Sequence, residues 1–292
     1  MVRFLIDRYI MFKWRRKAVN IDSFSDDIEE INYFSNNGIT KITFNFNNFA
    51  DYLNQNYIVP LLKNKKTNII TYDASPIDKS KGLILSSYLS LNDPKIINFI
   101  TSQKISNIIY SYLGRYFFLR NNPTVNQIVA KEDNWGTSII HNDRFHQISL
   151  MLLLENITEA DTHMEYLAKT HKLNIFDDLH PYPNSSQIKE KIKKTDKRIK
   201  LIGKKGTVFL FDSIGLHRTV LKKNTSRTIF HLNFTAGHNL YPFLDEKIKV
   251  DGIKYKNINI VKRQEGETYY VENYPKENSF RYLRKLLNHR IG

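Results

Sequence analysis

The sequence predicts an α+β, mainly β fold, with helices in the first part of the chain and a barrel or sandwich of short strands in the second. Apolar residues recur at helical spacing in several segments before residue 114. From about residue 115 the pattern changes to short β-branched and aromatic runs that turn residues separate. No Pro/Gly/Ser-rich linker interrupts the chain, so we expect one domain over 1–292, with an N-terminal part (1–114), a barrel core (115–240) and a C-terminal extension (241–292).

In the N-terminal part the spacing of apolar residues predicts helices and one strand. The first helix, at 21–36, has a capping residue in Asp22 or Ser23 and ends at Asn37-Gly38. The other elements predicted here are a strand at 39–46 and helices at 47–64 and 94–113.

The second part of the chain is predicted to be strands. The long apolar run at 146–156 is typical of a strand buried on both faces. A polar segment at 176–200, with seven Lys and Arg from 189 onward, is predicted to be an exposed loop over one mouth of the barrel. The predicted strands are 115–120, 124–131, 136–143, 146–156, 163–169, 197–202, 206–212, 216–221 and 227–236.

The histidines are concentrated in this strand region, since eight of the nine lie between residues 141 and 238. His141 and Asp143 follow an apolar run, His217 follows another, and Arg227 comes ten residues after His217. Two His and one carboxylate form the facial triad that holds non-haem Fe(II) and leaves coordination positions on the metal open. An Arg fixed nearby is suited to a dicarboxylate co-substrate.

The predicted strands explain how these residues would meet. A strand at 136–140 would run into His141, and residues i and i+2 of a strand share a face, so His141 and Asp143 could grip one ion. The strand 208–211 ends in a turn at 212–215 and brings His217 onto the next strand. A buried Arg227 would need an anionic partner, which a dicarboxylate provides.

His163 and Glu165 form a rival His-x-carboxylate pair in the same region. We prefer His141 and Asp143 because Arg227 and His217 then follow in a familiar order. The other histidines are interpreted as core, loop or supporting residues, although His231 could face the same interior. They are His146, His171, His180, His231 and His238.

The quoted residues resemble the phytanoyl-CoA dioxygenase family of Fe(II)/2-oxoglutarate oxygenases. The family pattern is His-x-Asp, an apolar strand, a Gly-Ser-His stretch, a Gly-Asp-hydrophobic-Phe strand, a His with Ser or Thr two residues on, and an Arg about ten residues on. The matching segments are HND at 141–143, SLMLLLENITEADTHMEYLAKTHK at 149–172, KGTVFLFDSIGLHRTVLKKNTSRTIFHLNF at 205–234 and, less specifically, YFSNNGITKI at 33–42.

The resemblance implies a double-stranded β-helix, a cupin-like jelly-roll barrel, with N-terminal helices packed on one sheet. His141, Asp143 and His217 would bind Fe(II), Arg227 would pair with the distal carboxylate of 2-oxoglutarate, and Thr219 would hydrogen-bond the same co-substrate. With O₂, the expected reaction is hydroxylation of a small molecule. A carboxylate at Asp143 argues against halogenation, because halogenating relatives carry a small residue there.

Three departures from the family pattern affect the substrate pocket rather than the metal ligands. They are Ile140 where the family often has Trp, Lys169-Thr170-His171 in place of Gly-Ser-His, and Thr207 in place of Asp.

Composition sets further expectations about partners and location. The chain has no Cys, which excludes disulfides and thiolate ligands, and a formal net charge of +15, which favours an anionic substrate linked to phosphate, CoA, lipid or glycan. An AT-rich genome would explain the lysines equally well. Charged residues break any signal-peptide core at 1–20, so we expect a cytoplasmic protein. The basic amphipathic segments 1–17 and 280–290 suggest peripheral membrane contact, although helices packed on the domain are the preferred interpretation.

Three alternative functions remain. A nucleic-acid demethylase would usually carry a second Arg six residues after the first, where this chain has Asn233, so nucleic acid is not expected as a partner. A cupin-like isomerase or epimerase would share the barrel without needing Arg227. A non-catalytic sugar-binding jelly roll would use its histidines structurally.

Overall fold

Two β-sheets face each other, and helices cover the outer side of the larger one. The computed structural model describes residues 26–58, 71–73, 81–89, 93–113, 117–119, 123–133, 138–143, 147–172, 192, 197–236, 254–255 and 258–259. Within them, the strands are β1 Ile39–Ile42, β2 Thr71–Asp73, β3 Gly82–Tyr88, β4 Phe117–Leu119, β5 Thr124–Ala130, β6 Gln147–Leu153, β7 His163–Leu167, β8 Arg198–Leu201, β9 Val208–Asp212, β10 His217–Val220, β11 Thr225–Ala236, β12 Lys254–Tyr255 and β13 Ile258–Asn259. The helices are α1 Ile28–Asn37, α2 Asn47–Leu53 with a π-helical turn at Asn54–Ile58, α3 Pro94–Ile100, α4 Gln103–Leu113 and a 3₁₀ turn at Thr170–Lys172.

The large sheet is built around the long strand β11. The order β1-β9-β6-β11 continues through β5 and β3 to β2 at one end of β11, and through β4, β13 and β12 at the other. The small sheet has the order β10-β7-β8. All of these pairs are antiparallel except β13 with β4. The non-consecutive order means that the chain crosses repeatedly between the two sheets, as in jelly-roll folds.

The central strands of the large sheet are buried on both faces, as the apolar run at 146–156 predicts. Every residue of β6 is buried. Alternate residues point to opposite faces of a strand, so β6 contributes Leu150 and Leu152 to the core under the helices and Met151 and Leu153 to the core between the sheets. This second core also contains Tyr166 from the small sheet.

The helices differ in detail from the sequence prediction. α1 ends at Gly38, whose φ of 76° is the left-handed conformation expected of this stop signal. The helix predicted at 94–113 is two helices, because Thr101 and Ser102 bond back to the end of α3 before α4 begins. Asp93 caps α3 by accepting from the Lys95 N–H (2.9 Å), and Pro94 occupies the first turn.

Two parts of the strand prediction need correction. Strands β2 and β3 were not predicted, although β3 pairs with the whole of β5 from Gly82↔Ala130 to Tyr88↔Thr124. The strand predicted at 136–140 is wrong over its described residues, since 138–140 form a bend and a 3₁₀ position. His141 instead makes one isolated bridge to His217.

Several predicted features lie outside the described residues. They are the terminal segments 1–17 and 280–290, most of the basic loop at 176–200, and His146, His180 and His238. Among the helices that the structure describes, none combines the length and apolar character that crossing a bilayer requires.

Candidate metal centre

The turn between β9 and β10 organises the site. Asp212 is fully buried; its Oδ2 accepts from the Tyr112 hydroxyl of α4 (2.6 Å), and its Oδ1 accepts from the Ile214 N–H (3.0 Å). The Tyr166 hydroxyl donates to the Asp212 carbonyl (3.0 Å) and fills the space where Gly215 would carry a Cβ. The helix layer and the small sheet therefore both hold this turn, and Gly215 is required by the close approach of Tyr166.

His141 and His217 are joined through their backbones. The His141 N–H donates to the His217 carbonyl (2.9 Å), and the His217 N–H donates to the His141 carbonyl (2.8 Å). The bridge adds His141 beside β10, at the edge of the small sheet. Their ring centroids lie 4.5 Å apart at an interplanar angle of 56°. Two imidazoles from distant parts of the chain thus sit side by side.

Both rings are oriented by main-chain carbonyls. The Nδ1–H of His141 donates to the Ile139 carbonyl (2.7 Å), and the Nδ1–H of His217 donates to the Gly215 carbonyl (2.8 Å). A carbonyl can only accept, so the proton of each neutral ring lies on Nδ1 and the lone pair lies on Nε2. This arrangement is usual for metal-binding histidines.

Asp143 completes the cluster. Its N–H donates to the Ser213 carbonyl (2.8 Å), which places its side chain beside the two rings. One ligand atom each from His141, Asp143 and His217 lies within 4.8 Å of the others. The three residues predicted as metal ligands are therefore brought together, although a bend and a turn place them rather than a shared strand.

The protonation state of His217 suits a metal ligand. Burial lowers its pKa, which His141 lowers further, whereas Asp143 and the Gly215 carbonyl oppose the shift. A lowered pKa keeps the ring neutral at physiological pH, and only the neutral ring offers a lone pair.

Arg227 lies on β11, and 3% of it is exposed. Burial lowers its pKa to about 10, although Glu155 opposes the shift. Within the described part of the chain, Nε and Nη1 of this guanidinium have no hydrogen-bond partner. A buried cation with open donors is costly unless an anion binds it, so this side chain has the character of an anion site.

Thr219 is buried on β10, two residues after His217. Side chains two apart share a face of a strand, so Thr219 points to the same side as His217. Its cross-strand neighbour on β7 is Met164, which belongs to the core between the sheets. Thr219 is therefore inside the barrel, where the predicted co-substrate contact requires it.

The rival pair His163 and Glu165 lies on the other face of β7. Their cross-strand neighbours are Val220 and Arg218, which alternate with the inward-facing residues of β10. Glu165 accepts from Nε of Arg218 (2.8 Å) and also pairs with Arg198 (3.6 Å). A carboxylate already held by two guanidinium groups is not a free metal ligand, so the preference for Asp143 is supported.

His231 faces the interior of the barrel, as the sequence allowed. It lies on the same face of β11 as Arg227, because the two are four residues apart on one strand. Burial lowers its pKa to about 4; the charge of Asp143 opposes the shift, and those of Arg227 and His217 reinforce it. His231 is therefore a neutral polar group inside the barrel. The alternation with Ile229 and Asn233 was the signal for it.

This pKa predicts a pH dependence of stability for the metal-free protein. The unfolded chain takes up a proton on His231 near pH 6.5, but the folded protein does so only near pH 4. The contribution of His231 to stability is thus fully present above pH 6.5 and is lost as the pH drops toward 4, by about 3 kcal/mol. Urea unfolding in EDTA across this range measures the loss. His231→Gln should flatten this part of the profile, and a variant profile parallel to that of the wild type would contradict the assignment.

Comparisons place the fold among known structures. No protein-family model matches the sequence, and no curated protein matches it. The crystal structure of the epimerase SnoN in complex with Fe³⁺, alpha ketoglutarate and nogalamycin RO is similar with a TM-score of 0.55 and 12% identity, covering 84% of this chain and 99% of that chain. EctD from S. alaskensis in its apoform is similar with a TM-score of 0.52 and 15% identity, covering 71% of this chain and 76% of that chain.

The chain has the double-stranded β-helix fold. The predicted jelly-roll barrel with helices on one sheet is thereby confirmed. At these identities the likeness extends to the fold alone, since one barrel supports many activities. The narrower resemblance to the phytanoyl-CoA dioxygenase family stays a prediction.

Two supporting residues were missed in the sequence. Gln147, at the start of β6, donates through Nε2 to Asp143 Oδ2 (2.9 Å). Ser213 holds the backbones of both Asp143 and Gln147. A polar residue opening an otherwise apolar strand was the available signal for Gln147, whereas Ser213 acts through its main chain and leaves no mark on side-chain patterns.

Proposed function

We propose that this protein is a non-haem Fe(II)- and 2-oxoglutarate-dependent oxygenase that hydroxylates a small molecule. The observation that carries the proposal is the convergence of His141, Asp143 and His217, with ligand atoms within 4.8 Å of one another. Two imidazoles and one carboxylate, with no thiolate, form the donor set that non-haem Fe(II) takes in oxygenases.

The buried Arg227 supports 2-oxoglutarate as co-substrate. Its unpartnered Nε and Nη1 offer N–H donors to a carboxylate, and Arg binds such groups strongly because both partners are charged. Thr219 provides a hydroxyl on the same side as His217. SnoN and EctD have been crystallised with alpha ketoglutarate or 2-oxoglutarate bound, and each has also been crystallised with iron.

In this proposal each residue has a distinct part. His141, Asp143 and His217 hold Fe(II), Arg227 orients the co-substrate through its distal carboxylate, and Thr219 hydrogen-bonds it. Fe(II), when bound, supplies the electrons that activate O₂. The reaction consumes 2-oxoglutarate, O₂ and a C–H bond and yields succinate, CO₂ and a C–OH group. Phe211, a member of the core between the sheets, lies 5.6 Å from the His217 ring and forms an apolar wall on that side of the site.

An epimerase that also uses iron and a keto acid is the second candidate. It is favoured by the similarity to SnoN, which is described as an epimerase and covers 84% of this chain. A cupin-like isomerase without a keto acid and a sugar-binding jelly roll are less favoured, because neither gives the buried Arg227 an anion.

The prime substrate is proposed to be a small anionic metabolite, free or linked to lipid or glycan. The net charge of +15 supports this, because a basic surface concentrates anions near the site. The phytanoyl-CoA dioxygenase resemblance fits the same proposal.

Anaerobic titration of the wild-type protein with Fe(II) and then 2-oxoglutarate tests the proposal. We expect about one equivalent of Fe(II) to bind and the weak visible charge-transfer band of the keto-acid chelate to appear only when both are present. Absence of the band at saturating concentrations would refute the proposal. Succinate release with a metabolite panel then identifies substrates. Isotopically labelled O₂ separates the candidates, since a hydroxylase product gains the label and an epimerised product does not.

A further inference from the structure

Asp143, Ser213 and Gln147 form a closed ring of hydrogen bonds beside the metal cluster. The Asp143 N–H donates to the Ser213 carbonyl (2.8 Å), and the Ser213 N–H donates to the Gln147 carbonyl (3.0 Å). The Gln147 side chain closes the ring by donating from Nε2 to Asp143 Oδ2 (2.9 Å). Each residue is thus fixed relative to the other two.

The ring is anchored on a central strand of the large sheet. Gln147 opens β6, which pairs with β11 on one side (Gln147↔Thr235) and with β9 on the other (Ile148↔Asp212). Gln147 is 4% exposed and Ser213 is fully buried, so bulk water does not compete well for these bonds. The Gln147 amide therefore approaches the carboxylate from a fixed direction.

A carboxylate has two oxygens, and this geometry makes them unequal. Oδ2 accepts a hydrogen bond from a buried amide, which uses one of its lone pairs and fixes the orientation of the carboxylate. If Asp143 bound a six-coordinate metal through both oxygens, then Asp143, His141 and His217 would together fill four of the six coordination positions. A bidentate keto acid would then fill the remaining two.

We propose that Gln147 is a positioning residue that restricts Asp143 to a single metal-bound oxygen and so keeps three coordination positions open. The inference rests on the proposed function, since it concerns the same metal. It assigns to Gln147 a role that acts through Asp143 and not by contact with substrate. Outer partners of metal ligands typically change metal affinity by about 10- to 100-fold.

Gln147→Met tests the role, because methionine is similar in length and volume and cannot donate. Co(II) is the probe; its affinity is measured calorimetrically, and its visible d–d bands report coordination number. We expect the variant to bind Co(II) about 10-fold or more weakly. We also expect its d–d bands before 2-oxoglutarate to differ from those of the wild type, which a merely structural role would not produce.

Ser149→Ala is the matched control. Ser149 lies on the same face of β6, two residues further on, and its hydroxyl bonds to Asn233 (2.7 Å) instead of Asp143. The Ser149→Ala substitution should leave both the Co(II) affinity and the d–d bands unchanged. Circular dichroism and urea unfolding verify that Gln147→Met is folded. If Gln147→Met does not fold, Gln147→Leu provides a second variant without the side-chain donor.

The outcomes separate the two proposals. If the wild type binds no Co(II), the proposed function fails and the role of Gln147 fails with it. If the wild type binds Co(II) and the folded Gln147 variant has the same affinity within about twofold and the same d–d bands, only the positioning role is overturned. Weaker binding with altered bands in the Gln147 variants, and not in Ser149→Ala, supports it.

Discussion

His217→Ala should abolish tight metal binding and, with it, the chelate band. His217 is the best buried of the three clustered residues, and its Nδ1–H bond to the Gly215 carbonyl fixes the lone pair of Nε2 toward the other two. Removing it leaves two ligands. Since loss of an outer partner alone typically costs about 10- to 100-fold in affinity, loss of a ligand should cost about 1000-fold or more. Calorimetry with Co(II) and the anaerobic Fe(II) titration both measure it.

His163→Gln is the control for this variant. His163 is also buried, and its Nδ1–H likewise donates to a carbonyl, that of Asp161 (2.7 Å), but it faces away from the cluster. Its replacement should leave metal affinity unchanged. If His217→Ala bound the metal normally and His163→Gln did not bind it, the metal site would instead be assigned to His163 and Glu165.

Arg227→Met should raise the 2-oxoglutarate concentration needed for half-saturation by about 1000-fold. Breaking a buried, hydrogen-bonded charge pair typically costs several kcal/mol, and about 4 kcal/mol corresponds to this factor. Metal affinity in the absence of the keto acid should stay the same, because Arg227 is not a ligand. Titration of the chelate band with 2-oxoglutarate measures the change.

Stability distinguishes this role from a structural one. In the absence of an anion the Arg227 guanidinium is buried with two nitrogens unpartnered among the described residues. Its replacement by an apolar chain of similar length should leave the free energy of unfolding of the ligand-free protein unchanged or higher. Arg218→Met is the control for co-substrate affinity, since Arg218 is paired with Glu165 on the outer face. A strongly destabilised Arg227→Met protein with normal co-substrate affinity would contradict the assignment.

Periodic patterns were sufficient for most strands of the barrel core. The apolar run at 146–156 became β6, and the alternation at 216–221 became β10 with His217 and Thr219 on the inner face. The stop at Gly38 was also readable, because its left-handed conformation favours glycine. By contrast, the break between α3 and α4 depends on local hydrogen bonds of Thr101 and Ser102, and no change in apolar spacing marks it.

Lys169 has a backbone conformation that is uncommon for residues other than glycine. Its φ is positive, at 68°. Its N–H donates to the Asn37 carbonyl (2.9 Å), which links this turn to the end of α1. Thr170 donates to the Leu167 carbonyl (2.6 Å) and accepts from the Leu216 N–H (2.8 Å). The segment 169–170 is thus held by hydrogen bonds to α1, to β7 and to the residue before β10.

The sequence by itself determined which residues could form the site: two histidines, an aspartate and an arginine in a particular order among apolar strands. It also determined the β-rich class of the fold, because both depend on residue type and short-range spacing. Only the tertiary structure decided that 138–140 bend instead of forming a strand, that Glu165 is paired with Arg218 and Arg198, and that Gln147 contacts Asp143. These outcomes depend on hydrogen bonds and ion pairs between particular groups, several of them far apart in sequence, such as the backbone bonds between His141 and His217, 76 residues apart. Such contacts leave no periodic signal in the chain.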